Sequence, residues 1–196
     1  MIEFFEAHPE LQRPKMSAAG VDPALKNSVG INVNPRDLEL GSHAVLANHI
    51  RELFACFHDY LATWPILAGF LREVDIGDFN IQRYEPGDHF ALMHSERTAL
   101  PTLHRVLVWK TYLNDVEVGG RTHFTHYDLE VKPERAKTLI WPAEWTHAHT
   151  GRVDPRSHRQ RGAGGNQIRH HRLDAFSAQG TAFRGGLITA DSCAPA

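Results

Sequence analysis

The chain has 196 residues, 42% of them hydrophobic, and a formal net charge of −2. This length suits one domain with a substantial core, and the near-neutral balance argues against a nucleic-acid surface over the whole protein. Two distant cysteines, Cys56 and Cys193, make no disulfide framework, and the first six residues lack the basic and apolar regions of a secretory leader. No stretch approaches the length of a transmembrane helix, so the expected setting is cytoplasmic, with no membrane partner.

In chain order, the first clear element is a helix from Ser42 to about Leu67. Val45, Leu46, His49, Ile50, Leu53, Phe54, Phe57 and Leu61 recur at spacings of three and four, which makes one apolar stripe. Ser42 is the expected amino-terminal cap and Pro65 the stop. The stripe is expected to pack on the outside of a sheet.

Residues 79–84 alternate apolar and polar side chains like a half-buried strand, and Glu85-Pro86-Gly87-Asp88 supplies turn chemistry. The chain then resumes as Phe90-Ala91-Leu92-Met93 and reaches His94 and Glu96. A third strand is expected over 105–113, rich in β-branched and aromatic residues, ending at Asn114-Asp115. Extended stretches follow at 121–124, after Gly119-Gly120, and at 129–131 and 138–141, these last two separated by the turn-prone Lys132-Pro133-Glu134-Arg135. Short strands at this spacing, punctuated by glycine and proline, imply a mainly β jelly roll, a double-stranded β-helix with flanking helices.

His94 and Glu96, two residues apart on an extended backbone, point to the same side and can reach one ion. With fourteen histidines in the chain, the pair alone is a weak signal. Some fifty residues later, Trp145-Thr146-His147-Ala148-His149 offers a second histidine. Two imidazoles and one carboxylate form the facial triad of non-haem iron oxygenases, which leaves positions open for substrate and oxygen. On a strand His147 and His149 would face the same way, so geometry does not choose between them. His89, His104, His123 and His126 read first as surface or core-edge residues, although His123 and His126 follow the glycine turn closely enough to line a pocket mouth.

The runs RYEPGDHFALMHSE, RVLVWKTYLNDVEVGGRTHF and VKPERAKTLIWPAEWTHAHTG, covering roughly residues 79–152, closely resemble the prolyl-4-hydroxylase-like branch of the iron(II)- and 2-oxoglutarate-dependent dioxygenases. FFEAHPEL and VDPALKNS extend the similarity more weakly. The family usually has His-x-Asp where this chain has Glu96, one methylene longer. The resemblance implies Fe(II) held by His94, Glu96 and His149, the last preferred over His147 by its place before the x-Gly pair. It also implies 2-oxoglutarate as cosubstrate, O2, ascorbate dependence, and hydroxylation of a C–H bond in a peptide, amino acid or small molecule. Tyr112 matches the tyrosine that relatives use for the far carboxylate of 2-oxoglutarate, although as a residue it reads equally as an ordinary buried strand tyrosine. The matching cation falls at Arg159, ten residues after His149.

Arg159 lies in a Gly-, Arg- and Ser-rich stretch where the family has a last apolar strand, such as Lys-Tyr-Ile-Ile-Thr-Gly-Trp. The domain is therefore expected to span 1–155, with 156–196 a basic tail of low order and an aberrant final strand. One choice of synonymous codons for Asn166 through Ala175 reads Thr-Lys-Tyr-Val-Ile-Thr-Gly-Trp-Met in the second frame, which suggests an out-of-frame tail. Arg169-His170-His171-Arg172 reads as a solvated charge cluster. The alternative to an active dioxygenase is a metal-binding jelly roll that lacks its cosubstrate anchor. Oligomeric state is left open.

Overall fold

The computed structural model describes residues 1–14, 24, 26–71, 73–85, 88–151 and 172–177, the last segment as backbone only. Among the described residues eleven strands form two antiparallel sheets. The larger takes β1 (Arg13–Pro14), β3 (Val29–Val33), β4 (Phe79–Tyr84), β11 (Arg172–Ser177), β6 (Leu107–Tyr112) and β9 (Thr138–Pro142), side by side in that order. The smaller runs β2 (Lys26–Asn27), β5 (His89–His94), β10 (His149–Gly151), β7 (Thr122–Phe124) and β8 (Leu129–Val131). This is the mainly β jelly roll that the spacing of the short strands implies.

Strand alternation assigns the two faces of the larger sheet. On β4, Phe79 and Ile81 face outward, and on β6 Trp109 does the same. All three join Ile31 and Val33 of β3 in a cluster with Leu46, Ile50 and Leu53 of helix α2 (Ala44–Thr63) and Phe4 and Phe5 of helix α1 (Ile2–Ala7). The alternate residues Gln82, Tyr84 and Lys110 turn toward the smaller sheet and line a cavity between the two. A second cluster, Val108, Phe124, Trp141 and Ala143, fills the space beside that cavity.

Helix α2 is the predicted helix, shortened at both ends by single turns of 3-10 helix, Gly41–His43 and Pro65–Gly69. Ser42 does not cap it. Its hydroxyl lies 3.0 Å from His43 Nδ1 instead, and His43, at the cap position, makes no side-chain cap bond. Pro65 ends the helix as expected, because its ring cannot accept the next turn. Among the described residues no helix is long and apolar enough to cross a membrane.

One segment of the tail pairs as a strand. Residues 172–177 form β11, paired antiparallel to β4 on one side and β6 on the other, with Asp174 opposite both Gln82 and Tyr112. Composition argues against a strand here, but the slot is defined by backbone. Without β11 the facing edges of β4 and β6 would leave two rows of unpaired N–H and C=O groups, and any non-proline chain can satisfy them. The rest of 156–196, Arg159 and the His170-His171 pair included, lies outside the described residues.

Candidate metal centre

The smaller sheet brings the two histidines together by register. β10 lies between β5 and β7, and His149 sits directly opposite His94 on one side and Phe124 on the other. Their rings are 4.4 Å apart between centroids, with His94 stacked on Phe90 at 4.0 Å. Trp141 meets His149 edge-on at 5.2 Å. Glu96 arrives differently from expectation, from the turn two residues beyond the end of β5. Its Oε1 still lies 3.6 Å from His94 Nε2.

Hydrogen bonding fixes which nitrogens are free. His94 Nδ1 donates to the carbonyl of Leu92 at 2.9 Å, and His149 Nδ1 donates to the carbonyl of His147 at 3.0 Å. A carbonyl only accepts, so each ring keeps its proton on Nδ1 and presents the Nε2 lone pair, as metal-bound histidines do. Burial above all, helped by the neighbouring His149, pushes His94 down to about 3. Burial likewise brings His149 to about 4, with Lys110 acting in the same direction. Both imidazoles are therefore neutral ligands at physiological pH. Glu96 is pushed up to about 7 by burial, against the opposing pull of Arg105.

Arg105 is what holds the longer carboxylate. Its Nη1 donates to Glu96 Oε2 at 3.1 Å and to the Glu96 carbonyl at 3.2 Å. One carboxylate oxygen is thus clamped while the other faces His94. Arg105 is a positioning residue that the sequence did not reveal, since nothing in its local pattern ties it to residue 96.

The donor atoms of His94, Glu96 and His149 all lie within 4.8 Å of one another, the one such cluster among the described residues. His94 Nε2 is buried with no hydrogen-bond partner there. An orphaned nitrogen beside a second free Nε2 and a carboxylate oxygen fits a divalent ion, because burying such a group without a partner is costly. Two neutral imidazoles and one carboxylate suit Fe(II) with positions left open. His147 is not in the group: it closes a 3-10 turn, Trp145–His147, and packs its ring 5.1 Å from Tyr127. Its part is played by its carbonyl.

The cavity beside the cluster is walled by Lys26, Gln82, Tyr84, Phe90, Lys110 and Thr122, together with the two histidines and Thr150-Gly151. Tyr112 is wholly buried and does not line it, but its hydroxyl lies 2.6 Å from Oγ1 of the lining residue Thr122. His123 turns away from it, with Nε2 3.1 Å from Asp128 Oδ1. His126 is exposed against Tyr127. The sequence reading missed Lys26 and Lys110. The signal for Lys110 was present, since it precedes Tyr112 by two on a strand and so shares its face.

No family model and no curated protein matches the sequence. Solved structures match the fold. A prolyl hydroxylase from Trichoplax adhaerens, in complex with a hypoxia inducible factor oxygen degradation domain peptide, superposes with a TM-score of 0.56 at 12% identity, over 88% of this chain and 73% of that one. A Pseudomonas putida prolyl-4-hydroxylase gives 0.55 at 16%, over 89% and 80%. The viral collagen prolyl hydroxylase of Paramecium Bursaria Chlorella virus-1, as its 2OG complex, gives 0.52 at 17%, over 78% of each chain. The chain has the fold of the prolyl 4-hydroxylases, with a His-Glu-His cluster between its sheets.

Proposed function

We propose that the protein is an Fe(II)- and 2-oxoglutarate-dependent dioxygenase that hydroxylates a C–H bond. The observation that carries this reading is the cluster of His94, Glu96 and His149, with both Nε2 lone pairs turned to one point. In such a reaction the bound iron couples decarboxylation of 2-oxoglutarate to succinate and CO2 with insertion of one oxygen atom of O2 into the substrate. The protein's own part is to hold the ligands in one protonation state, exclude water and orient the reactants. Leu92 and His147 fix the imidazoles through their carbonyls, and Arg105 fixes the carboxylate. Phe90, Phe124 and Trp141 pack around the histidines, which keeps bulk water from the site.

A peptide or small molecule is the proposed substrate. The 3-10 turns Thr125–Tyr127, after β7, and Trp145–His147, before β10, pack against each other, and Tyr127 and Trp145 stand 53% and 72% exposed on them. Exposed aromatics on turns adjoining the strands that carry the site suit an extended chain, which gains contact area on their rings. The Trichoplax neighbour, with its bound peptide, supports this choice. Ascorbate enters only as a reductant in the assay.

The test is anaerobic titration of the purified chain with Fe(II) and then 2-oxoglutarate, followed by the visible charge-transfer band of the chelate. The band should appear, and should vanish in His94→Ala and His149→Ala. Metal binding without any band would leave a metal-holding jelly roll that does not take the cosubstrate.

A further inference from the structure

We propose that the cavity between helix α2 and strands β6 and β9 is a second binding site, for an uncharged, mainly aromatic small molecule that carries one oxygen acceptor. It lies on the helix side of the larger sheet and does not depend on the function proposed above.

The cavity forms where the helix stops fitting the sheet. Leu46, Ile50 and Leu53 of α2 pack on the outer face with Phe79 and Trp109. Further along, Phe54 and Phe57 stay half-buried, edge to face with each other at 6.3 Å. Between these rings and Leu107, Trp109 and Ile140 of the sheet a space of about 330 Å³ is left, with Phe70 and Ile76 on a third wall. Packed interiors keep few voids larger than a water, and this space has the size of a small-molecule site. It is too small for a helix or strand of a partner, and its deepest walls, Leu53, Val108 and Trp109, are all buried.

The walls select the ligand. Four aromatic rings, Phe54, Phe57, Phe70 and Trp109, favour flat apolar rings. Charge argues against an anion. The carboxylates of Glu73 and Asp75 stand exposed at the rim, and Arg105, the one lysine or arginine among the described lining residues, already pairs with Glu96. One polar demand remains. Arg105 has a side chain only 10% exposed, and its Nε is buried with no acceptor among the described residues, while Nη1 serves Glu96. Trp109 Nε1, on a residue 7% exposed, is buried without an acceptor there as well. Buried N–H groups left unpaired are costly, so the ligand that fits brings an oxygen acceptor. A ketone, ester or ether on an aromatic frame meets all three conditions.

The experiment titrates the full-length protein with benzophenone and with 1,1-diphenylethylene, the same frame with a methylene in place of the oxygen. 4-Benzoylbenzoate is the charged counterpart. Benzophenone should bind once per chain, about threefold to tenfold tighter than the hydrocarbon, as for one net hydrogen bond. The anion should bind more weakly than the ketone. Irradiation then fixes benzophenone covalently where it sits, and mass spectrometry should find the label within residues 53–57, 73–77 and 104–109. Leu71→Trp, which fills the space from a half-buried wall position, should remove binding.

Absence of saturable binding, equal affinity for ketone and hydrocarbon, or tighter binding of the anion overturns the inference. Label on Tyr127 or Trp145, or scattered over the surface, overturns it too, as does a folded Leu71→Trp that still binds. If that variant does not fold, the labelled positions in the wild type decide alone.

Discussion

The two sheets differ in what their residues are for. The larger presents one face to α1 and α2 and buries Phe79, Ile81 and Val108 almost completely. The smaller is built of strands of two to six residues, and β5 and β8 are for the most part only half-buried or exposed. Yet both histidines of the candidate cluster come from the smaller sheet, and Glu96 follows directly from its strand β5. A strand of three residues, β10, places His149 because it is held on both sides, by β5 and by β7. Precision at the site thus comes from ladder register and backbone carbonyls, while cohesion comes from apolar area on the other sheet.

The sharpest way to break this division is to damage each sheet separately. Phe79→Ala removes a ring that is 1% exposed and packs 5.7 Å from Trp109. It should cost about 3–5 kcal/mol in urea unfolding, as large cavities in cores do. By contrast, His149→Ala should weaken Mn(II) binding by at least about 100-fold and leave the unfolding midpoint of the metal-free protein unchanged or raised, because it removes a buried polar ring. A drop comparable to that of Phe79→Ala would show that the smaller sheet also carries stability.

Arg105 tests how the longer carboxylate is managed. Arg105 and Glu96 have side chains 10% and 9% exposed and pair at 3.1 Å. In Arg105→Met the carboxyl loses the larger of the two charges, Arg105 and Lys26, that oppose its burial, so its proton is held more tightly than at about 7. Mn(II) affinity at neutral pH should fall by about 10-fold to 100-fold, the usual range when the group orienting a ligand is lost. The loss should shrink as pH rises, since the ion competes with that proton. A deficit that is flat with pH would mean that Arg105 acts on something other than Glu96.

How much of this was legible follows from the physics of each segment. Strands β4 to β9 announced themselves by alternation and by turns, and α2 by its apolar stripe. Strands β1 to β3 did not: two are only two residues long, and Val29–Val33 carries a glycine and an asparagine, both disfavoured in strands. β11 was opaque because its place is dictated by the open edges of β4 and β6 and not by its own side chains. Among site residues, His94 and His149 were readable from spacing and resemblance. Glu96 was readable as a residue but not as a turn residue. Lys110 lines the cavity, and its alternation with Tyr112 is the one signal in the sequence that places it on the inner face.

The smallest expected effect belongs to the larger sheet and checks that its helix-facing side is apolar in function as well as composition. His49 of α2 lies 5.6 Å from Trp109, and its Nε2 is buried with no partner among the described residues. Burial first, then the amino-terminal ammonium, pushes it down to about 4. Between that value and the ordinary 6.5 the unfolded chain takes up a proton that the folded one refuses, so stability falls as pH drops through this window. His94 and His149 add slope of the same sign and Glu96 slope of the opposite sign, so the measurement is a difference between proteins. His49→Phe should lessen the loss between pH 7 and 5 by about 1–2 kcal/mol, the ceiling of about 1.4 kcal/mol per unit being reduced by partial exposure. Identical slopes in the two proteins would mean that water or a counter-charge reaches His49, and that the cover of the larger sheet is looser on this side than its buried phenylalanines imply.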